Sequence, residues 1–140
     1  MMNILIPMAG AGQRFADAGY KISKPLIPVT DRHTGKVCPM VAAAVKDIIS
    51  AAGNGNIIFI YRNENGSGII SEVSDHFPDA KFIGVDHLTE GQACTCLLAK
   101  DIINNDAPLF IGGCDNGMAV SPDRFSALSD NSDVLVFTYR

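Results

Sequence analysis

The chain has 140 residues, of which 47% are hydrophobic and 19% are charged, and this balance is typical of one globular domain rather than a disordered segment. The formal net charge is −4 and the 11 lysine and arginine residues are scattered, which excludes a basic stripe that follows a nucleic-acid backbone. No apolar run approaches the roughly 20 residues that cross a bilayer, and the N-terminus lacks the features of a signal peptide. We therefore expect a cytoplasmic protein that binds neither nucleic acid nor membrane.

The cysteines and histidines match no familiar metal-binding or disulfide pattern. Cys94 and Cys96 lie two residues apart in a predicted helix, so their side chains point to different faces and share a metal poorly. We expect the cysteines to be core or surface thiols; they are Cys38, Cys94, Cys96 and Cys114. The histidines are expected in loops and at helix ends; they are His33, His76 and His87.

The first half of the chain predicts one strand, a long loop region and one helix. Pro7 stands where the first apolar run stops pairing. Further on, Gly19, Pro25 and Pro28 break the apolar pattern, which favours an ordered loop over a central strand. In chain order the predictions are a strand at residues 3–7, a glycine loop at 10–12, an ordered loop at 16–29, an exposed turn at 30–36 and a helix at 40–52.

The second half alternates strands with helices. Residues 57–61 form an uninterrupted apolar run, typical of a strand buried on both faces. The alternation predicts an α/β domain with a three-layer, Rossmann-like, mostly parallel sheet and helices on both faces. The remaining predictions are a turn at 63–68, a helix at 69–77, a strand at 81–85, a helix at 91–103, a strand at 108–111, a helical turn at 122–128 and a strand at 134–138.

The residues just after three of the predicted strands are the best candidates for a ligand-binding site. In open parallel sheets, ligands bind beyond the carboxyl ends of the strands. The loop after the first strand carries Gly10, Gly12 and Arg14, and two others follow the later strands at residues 86–93 and 112–116. We expect these three loops to converge on one crevice.

The first of these loops is suited to binding an anion. Its two glycines let the backbone approach phosphate oxygens, while Arg14 and Lys24 supply positive charge. A dinucleotide-binding fingerprint would need a third glycine where Phe15 stands. Asp31 does lie about where the ribose-binding acid of such a site would be expected. However, the segment before Asp31 is broken by prolines and is a poor second strand, which argues against a dinucleotide site. The glycine spacing and the Gly-Lys-Ser/Thr ending of a Walker A loop are also missing.

The sequence resembles the sugar-phosphate nucleotidyltransferases, also called nucleotide-sugar pyrophosphorylases, at residues 10–15 and 24–29. The family signature is G-x-G-x-R, a spacer and then Lys-Pro, and here it reads Gly-Ala-Gly-Gln-Arg-Phe followed by Lys-Pro-Leu-Ile-Pro-Val. The family similarly has a glycine-containing loop that opens a helix, where residues 90–93 stand, and a strand ending in Gly-Asp or Gly-Asp-Asn, where 113–116 stand. The resemblance spans nearly the whole chain.

This resemblance implies a nucleotide-diphospho-sugar transferase fold and transfer of a nucleotidyl group from a nucleoside triphosphate to a sugar phosphate, with release of pyrophosphate. Arg14 and Lys24 would be the catalytic cations, and Asp115 would ligate Mg²⁺. Such transfer requires charge placed where the phosphate oxygens gain it, and Mg²⁺ takes one or two carboxylates together with phosphate oxygens and water. The residues implied to bind the nucleotide are Ala9, Gly10, Ala11, Gly12, Glu90, Gly91 and Gln92.

The chain departs from the family pattern in three places. Residues 31–40 form a longer segment where the family has a compact Gly-Lys-Pro-Met sequence, and Cys114 separates a glycine from Asp115 where the family has them adjacent. Family members also continue into a further half that supplies the sugar-phosphate pocket and a second metal-binding aspartate. We therefore expect residues 1–140 to be one nucleotide-binding domain, truncated relative to full-length members.

Plainer interpretations stay open. Gly10 and Gly12 could form only a tight turn, residues 115–117 could form another, Lys24 could be solvated, and Glu90 could merely favour a helix N-terminus. Two other functions also stay open: a non-catalytic nucleotide-binding or regulatory module, and a glycosyltransferase using a nucleotide sugar, which would more often carry a D-x-D motif. The sequence leaves open the base, the sugar and homo-oligomerisation.

Overall fold

The computed structural model describes residues 1–138, which contain two sheets. In chain order the strands are β1 (Met2–Pro7), β2 (Pro28–Thr30), β3 (Val37–Pro39), β4 (Gly55–Arg62), β5 (Lys81–Val85) and β6 (Leu109–Ile111). The larger sheet is parallel and four-stranded with the order β5-β4-β1-β6, and the smaller is an antiparallel pair of β2 with β3. The α/β prediction with a mostly parallel sheet is therefore confirmed.

Helices connect these strands, and short 3₁₀ turns lie at Lys24–Leu26 and Asn63–Asn65. Among residues 1–138, no helix is long and apolar enough to cross a membrane. The helices are α1 (Gln13–Asp17), α2 (Met40–Ala52), α3 (Gly66–Ser74), α4 (Gln92–Leu97), α5 (Lys100–Ile103) and α6 (Pro122–Ser129).

Two apolar cores on opposite faces of the sheet make the domain three-layered. On β1, Ile4 and Ile6 face a core shared with α2 and α3, whereas Leu5 faces a core shared with α4. This alternation is the period of two that a strand imposes on its side chains. All three side chains are 0% exposed, so β1 is the buried centre of the sheet, as its apolar run predicts.

The hairpin of β2 and β3 corrects the expectation that residues 16–29 form only loop. Val29 pairs with Cys38 and Thr30 with Val37. A proline lies at the far end of each strand, Pro28 opposite Pro39, and neither can donate a ladder hydrogen bond. The two prolines therefore limit the hairpin to a short ribbon beside the main sheet.

The predicted helix at residues 91–103 is divided into α4 and α5. The amides of Leu98 and Ala99 donate to the carbonyls of Thr95 and Cys96, three residues back, and this tighter turn interrupts the α-helical ladder. The helix predicted at residues 69–77 is observed as α3, which starts earlier than predicted, at Gly66.

The predicted fifth strand at residues 134–138 is wrong, because these residues lie outside both sheets. Val134 and Val136 are 81% and 74% exposed, while Phe137 packs its ring 6.2 Å from those of Phe110 and Phe125. A strand forms only against a partner strand. Within residues 1–138, none pairs with this segment, so its continuous apolar run overpredicts a strand.

The exposed turn at residues 31–36 is held by one buried carboxylate, that of Asp31, which is 0% exposed. It accepts hydrogen bonds from the His33 amide at 2.9 Å, the Thr34 hydroxyl at 2.8 Å and the Lys46 ammonium at 3.0 Å. Burial alone would raise the pKa of Asp31, but these donors outweigh it and hold the pKa well below its usual range. Asp31 is thus an ionised side chain that ties the hairpin to α2. Its sequence position, which resembles that of the ribose-binding acid in a dinucleotide fingerprint, is coincidental.

Replacing Asp31 with asparagine should lower the free energy of unfolding at pH 7 by about 1–3 kcal/mol, because buried donors lose a charged acceptor. A depressed folded-state pKa stabilises the protein above the unfolded-state value and loses that contribution as the pH falls. The difference between wild type and Asp31→Asn should therefore be largest at neutral pH and shrink below about pH 4. Urea titrations at several pH values would measure it; a difference that grows in acid would contradict this account.

Candidate functional site

A cavity of about 480 Å³ opens at the carboxyl end of the main sheet, a volume in the range of ordinary small-molecule sites. Three loops line it, one after β1, one before α4 and one after β6, as the sequence predicts. All the predicted site residues except Glu90 lie in its wall. These are Ala9, Gly10, Ala11, Gly12, Arg14, Lys24, Gly91, Gln92 and Asp115.

The loop after β1 presents backbone amides to this cavity. Within the described residues, the amides of Gly10, Ala11 and Gly12 donate to no backbone carbonyl, which leaves them available to an anion. Gly12 has φ +62°, a left-handed conformation that favours glycine. This turn starts α1, and it explains why the second glycine of the motif is needed here.

Lys24 and Asp115 form an ion pair at the wall of the cavity. The Lys24 Nζ lies 2.6 Å from Asp115 Oδ2, and the two side chains are 21% and 32% exposed. The same ammonium lies 5.2 Å from the centre of the Phe15 ring, within the range of a cation–π contact. The pair joins the 3₁₀ turn before β2 to the loop after β6, so both predicted charges lie at one place in the cavity wall, paired with each other.

Arg14 and Glu90 differ in their placement. Arg14 is an exposed residue in the cavity wall, and it has no acidic partner within 4.0 Å among the described residues. Glu90 is exposed and does not line the cavity. The structure therefore brings Arg14 to the wall of the cavity, but it does not bring Glu90 there.

Several wall residues were not predicted from the sequence. The hydroxyl oxygens of Thr89 and Thr95 lie 2.5 Å apart and 3.1 and 3.2 Å from the Gly91 carbonyl oxygen, so one hydroxyl donates to the carbonyl and the other donates to the first hydroxyl. These bonds fix the turn before α4. A single threonine in a loop or a helix does not indicate a functional site in the sequence. The only sequence feature that could have suggested contact between these two is their six-residue separation across Gly91. The other unpredicted wall residues include Gln13, Phe15, Leu88, Cys114 and Asn116.

Cys114 is a buried part of the cavity wall. Burial raises the pKa of its thiol to about 11; Lys24 opposes this shift and Asp115 adds to it. Burial also raises the pKa values of Cys38 and Cys96. Cys94 is exposed, and all four cysteines are free, which confirms that they are core and surface thiols.

The potential metal donors are sparse. Among the described residues, no group of three or more histidine, cysteine, aspartate and glutamate side chains could hold a metal by itself. Asp115 alone offers a carboxylate at the cavity wall. That donor set fits Mg²⁺ held jointly by one carboxylate and phosphate oxygens of a ligand, and it does not fit a metal held by protein alone.

No protein-family model matches the sequence, and a search of curated proteins finds no match. Solved structures do match. A UDP-glucose pyrophosphorylase complexed with UDP-glucose has a TM-score of 0.61 at 18% identity, over 93% of this chain and 52% of that one. Rv0371c from Mycobacterium tuberculosis H37Rv has a TM-score of 0.62 at 17% identity, over 92% of this chain and 59% of that one.

These likenesses show that the chain shares its α/β fold with this UDP-glucose pyrophosphorylase and with Rv0371c. The identities of 18% and 17% are too low to carry an activity across. The chain spans about half the length of these two neighbours, 52% and 59%.

We predict that N-ethylmaleimide at pH 8 modifies Cys94 at least about tenfold faster than Cys114, because the thiolate is the nucleophile and Cys114 is both buried and protonated. Mass spectrometry of tryptic peptides over a time course would give both rates. A Cys94→Ser variant controls for peptide assignment. Equal rates at the two positions would show that the cavity wall around Cys114 is open to solvent.

Proposed function

We propose that this chain is the nucleotide-binding domain of a sugar-phosphate nucleotidyltransferase. In the proposed reaction, a phosphate oxygen of a sugar phosphate attacks the α-phosphorus of a nucleoside triphosphate. The bond from that phosphorus to the oxygen bridging to the β-phosphate breaks, its electron pair leaves with pyrophosphate, and a nucleotide sugar forms. The observation that carries the proposal is the convergence of free amides, Arg14, Lys24 and Asp115 on one cavity.

Each group has a physical role in this reaction. Amides of Gly10–Gly12 would bind phosphate oxygens, while Arg14 would hold the leaving pyrophosphate with its planar fork and Lys24 would bridge the phosphates as a point charge. Transfer of this kind depends on positioning and on charge more than on covalent help from protein. Gly91 and Gln92, which also line the cavity, would contact the base.

A metal–triphosphate complex could replace the ion pair of Lys24 with Asp115 by giving each side chain a new partner. A metal–triphosphate complex carries both signs of charge, so its phosphates could take the ammonium while its cation takes the carboxylate. Mg²⁺ bound by Asp115 would supply charge neutralisation at the phosphate oxygens. The ligand would then replace the ion pair without leaving either charge uncompensated.

The neighbour that is complexed with UDP-glucose supports nucleotide and sugar as the ligand classes. The direct test measures pyrophosphate release from each common nucleoside triphosphate with a panel of sugar phosphates and Mg²⁺. Release that requires one acceptor would support the transfer. Binding of triphosphate without release for any acceptor would favour a non-catalytic nucleotide-binding module, and binding of nucleotide sugar alone would favour a glycosyltransferase.

Replacing Arg14 with alanine should weaken triphosphate binding by about 1–3 kcal/mol, because one charge-assisted contact is lost. Isothermal titration calorimetry would measure the change. Lys21→Ala is the matched control, since Lys21 is exposed and does not line the cavity. Equal triphosphate affinities for wild type and Arg14→Ala would show that Arg14 does not contribute to triphosphate binding.

Asp115→Asn should abolish the increase in triphosphate affinity that Mg²⁺ gives, because the carboxylate ligand is lost. Triphosphate affinity without metal should not fall, since Lys24 is released from its ion pair. Titrations with Mg²⁺ and with a chelator would separate the two effects, with Asp123→Asn on α6 as the control of equal charge change. A Mg²⁺ dependence that persists in Asp115→Asn would place the metal elsewhere.

A further inference from the structure

A buried carboxylate outside the main cavity joins three segments of the chain. Asp47 lies on α2 and is 3% exposed. Its Oδ2 accepts a hydrogen bond from the Met118 amide at 3.0 Å. Its Oδ1 lies 2.8 Å from His33 Nε2 and 3.3 Å from Arg32 Nε. The hairpin turn, α2 and the loop after β6 therefore meet at one side chain.

The Met118 amide belongs to the loop that carries Asp115. Close packing holds this loop against the carboxylate, because a Cβ at Gly117 would lie 2.5 Å from Asp47 Oδ2 and 2.9 Å from Arg32 Nη2. Asp47, Gly117 and Asp115 also line one smaller cavity of about 240 Å³. The loop thus rests on Asp47 at one end and pairs with Lys24 nearer its start.

We propose that Asp47 is a positioning residue that fixes the Asp115 loop through the Met118 amide. A buried carboxylate is costly unless donors surround it, and Arg32 and His33 supply them at Oδ1, while Oδ2 accepts from Met118. The oxygen facing Met118 is therefore oriented before any ligand binds. The consequence for metal binding rests on the proposed function, whereas the anchoring of the loop does not.

Asp31 provides a matched control, because it is also fully buried and bound to α2. Its partners are His33, Thr34 and Lys46, and the loop after β6 is not among them. Loss of Asp31 should loosen the hairpin turn and leave the bond from Met118 to Asp47 in place. A purely structural effect of removing a buried carboxylate would appear in both variants.

The first experiment is hydrogen exchange of the ligand-free protein. In Asp47→Ala, the Met118 amide should exchange about tenfold or more faster than in wild type, because its charged acceptor is gone. Asp31→Ala should raise it clearly less than Asp47→Ala does, because the Met118 amide keeps its charged acceptor. Asp47→Asn should retain most of the protection, since an amide oxygen can still accept from Met118. Unchanged exchange in Asp47→Ala, or an equal rise in Asp31→Ala, would overturn the proposal.

Gly117→Ala serves if Asp47→Ala fails to fold. This variant keeps Asp47, Arg32 and His33 but forces the loop away from the carboxylate, so the Met118 amide should again exchange faster. A Gly117→Ala protein with wild-type exchange at Met118 would overturn the proposal as well.

The second experiment measures triphosphate affinity with Mg²⁺ and with a chelator. Asp47→Ala should lose most of the Mg²⁺-dependent gain, while its metal-free affinity stays within about twofold of wild type. Equal losses with and without metal would overturn the positioning role. If wild type itself shows no gain with Mg²⁺, the proposed function fails, and hydrogen exchange still decides whether Asp47 anchors the loop.

Discussion

The central position of β1 is the constraint on which the rest of the structure depends. It pairs in parallel with β4 on one side and β6 on the other, and its residues Ile4, Leu5 and Ile6 are 0% exposed. Parallel neighbours end at the same edge of a sheet, so the loops after β1 and β6 start side by side. This pairing brings the Gly10–Gly12 turn, the positive charges and Asp115 to a common cavity from distant parts of the sequence.

The ion pair of Lys24 and Asp115 follows from that convergence. The partners are 21% and 32% exposed, and a pair so open to solvent contributes little to stability. The pair balances charge in the wall of the cavity, and in the proposed function a metal–triphosphate complex would take both of its partners. Asp47 accepts a hydrogen bond from the Met118 amide in the same loop. The loop that carries Asp115 is therefore held by two contacts, one with Lys24 and one with Asp47.

Much of this arrangement could be predicted from sequence, because strong local signals coincide with the fold. The apolar runs around Ile4 and Ile58 mark buried strands, and glycines with flanking charges mark the loops after them. The short β2–β3 hairpin could not be predicted, since Pro28 and Pro39 argue against strands and its turn is held by a tertiary anchor, Asp31. Residues 134–138 show the opposite error, because their apolar run lacks a partner strand among residues 1–138. The roles of Thr89, Thr95 and Asp47 depend on contacts between segments that sequence spacing does not reveal.

The most direct measurement is a crystal structure of this chain with a non-hydrolysable nucleoside triphosphate and Mg²⁺. We predict phosphates on the amides of residues 10–12, the base beside Gly91 and Gln92, and Mg²⁺ on Asp115 with Lys24 Nζ moved from the carboxylate to a phosphate oxygen. A triphosphate bound away from this cavity, or bound within it while the 2.6 Å pair of Lys24 and Asp115 stays intact, would contradict the account.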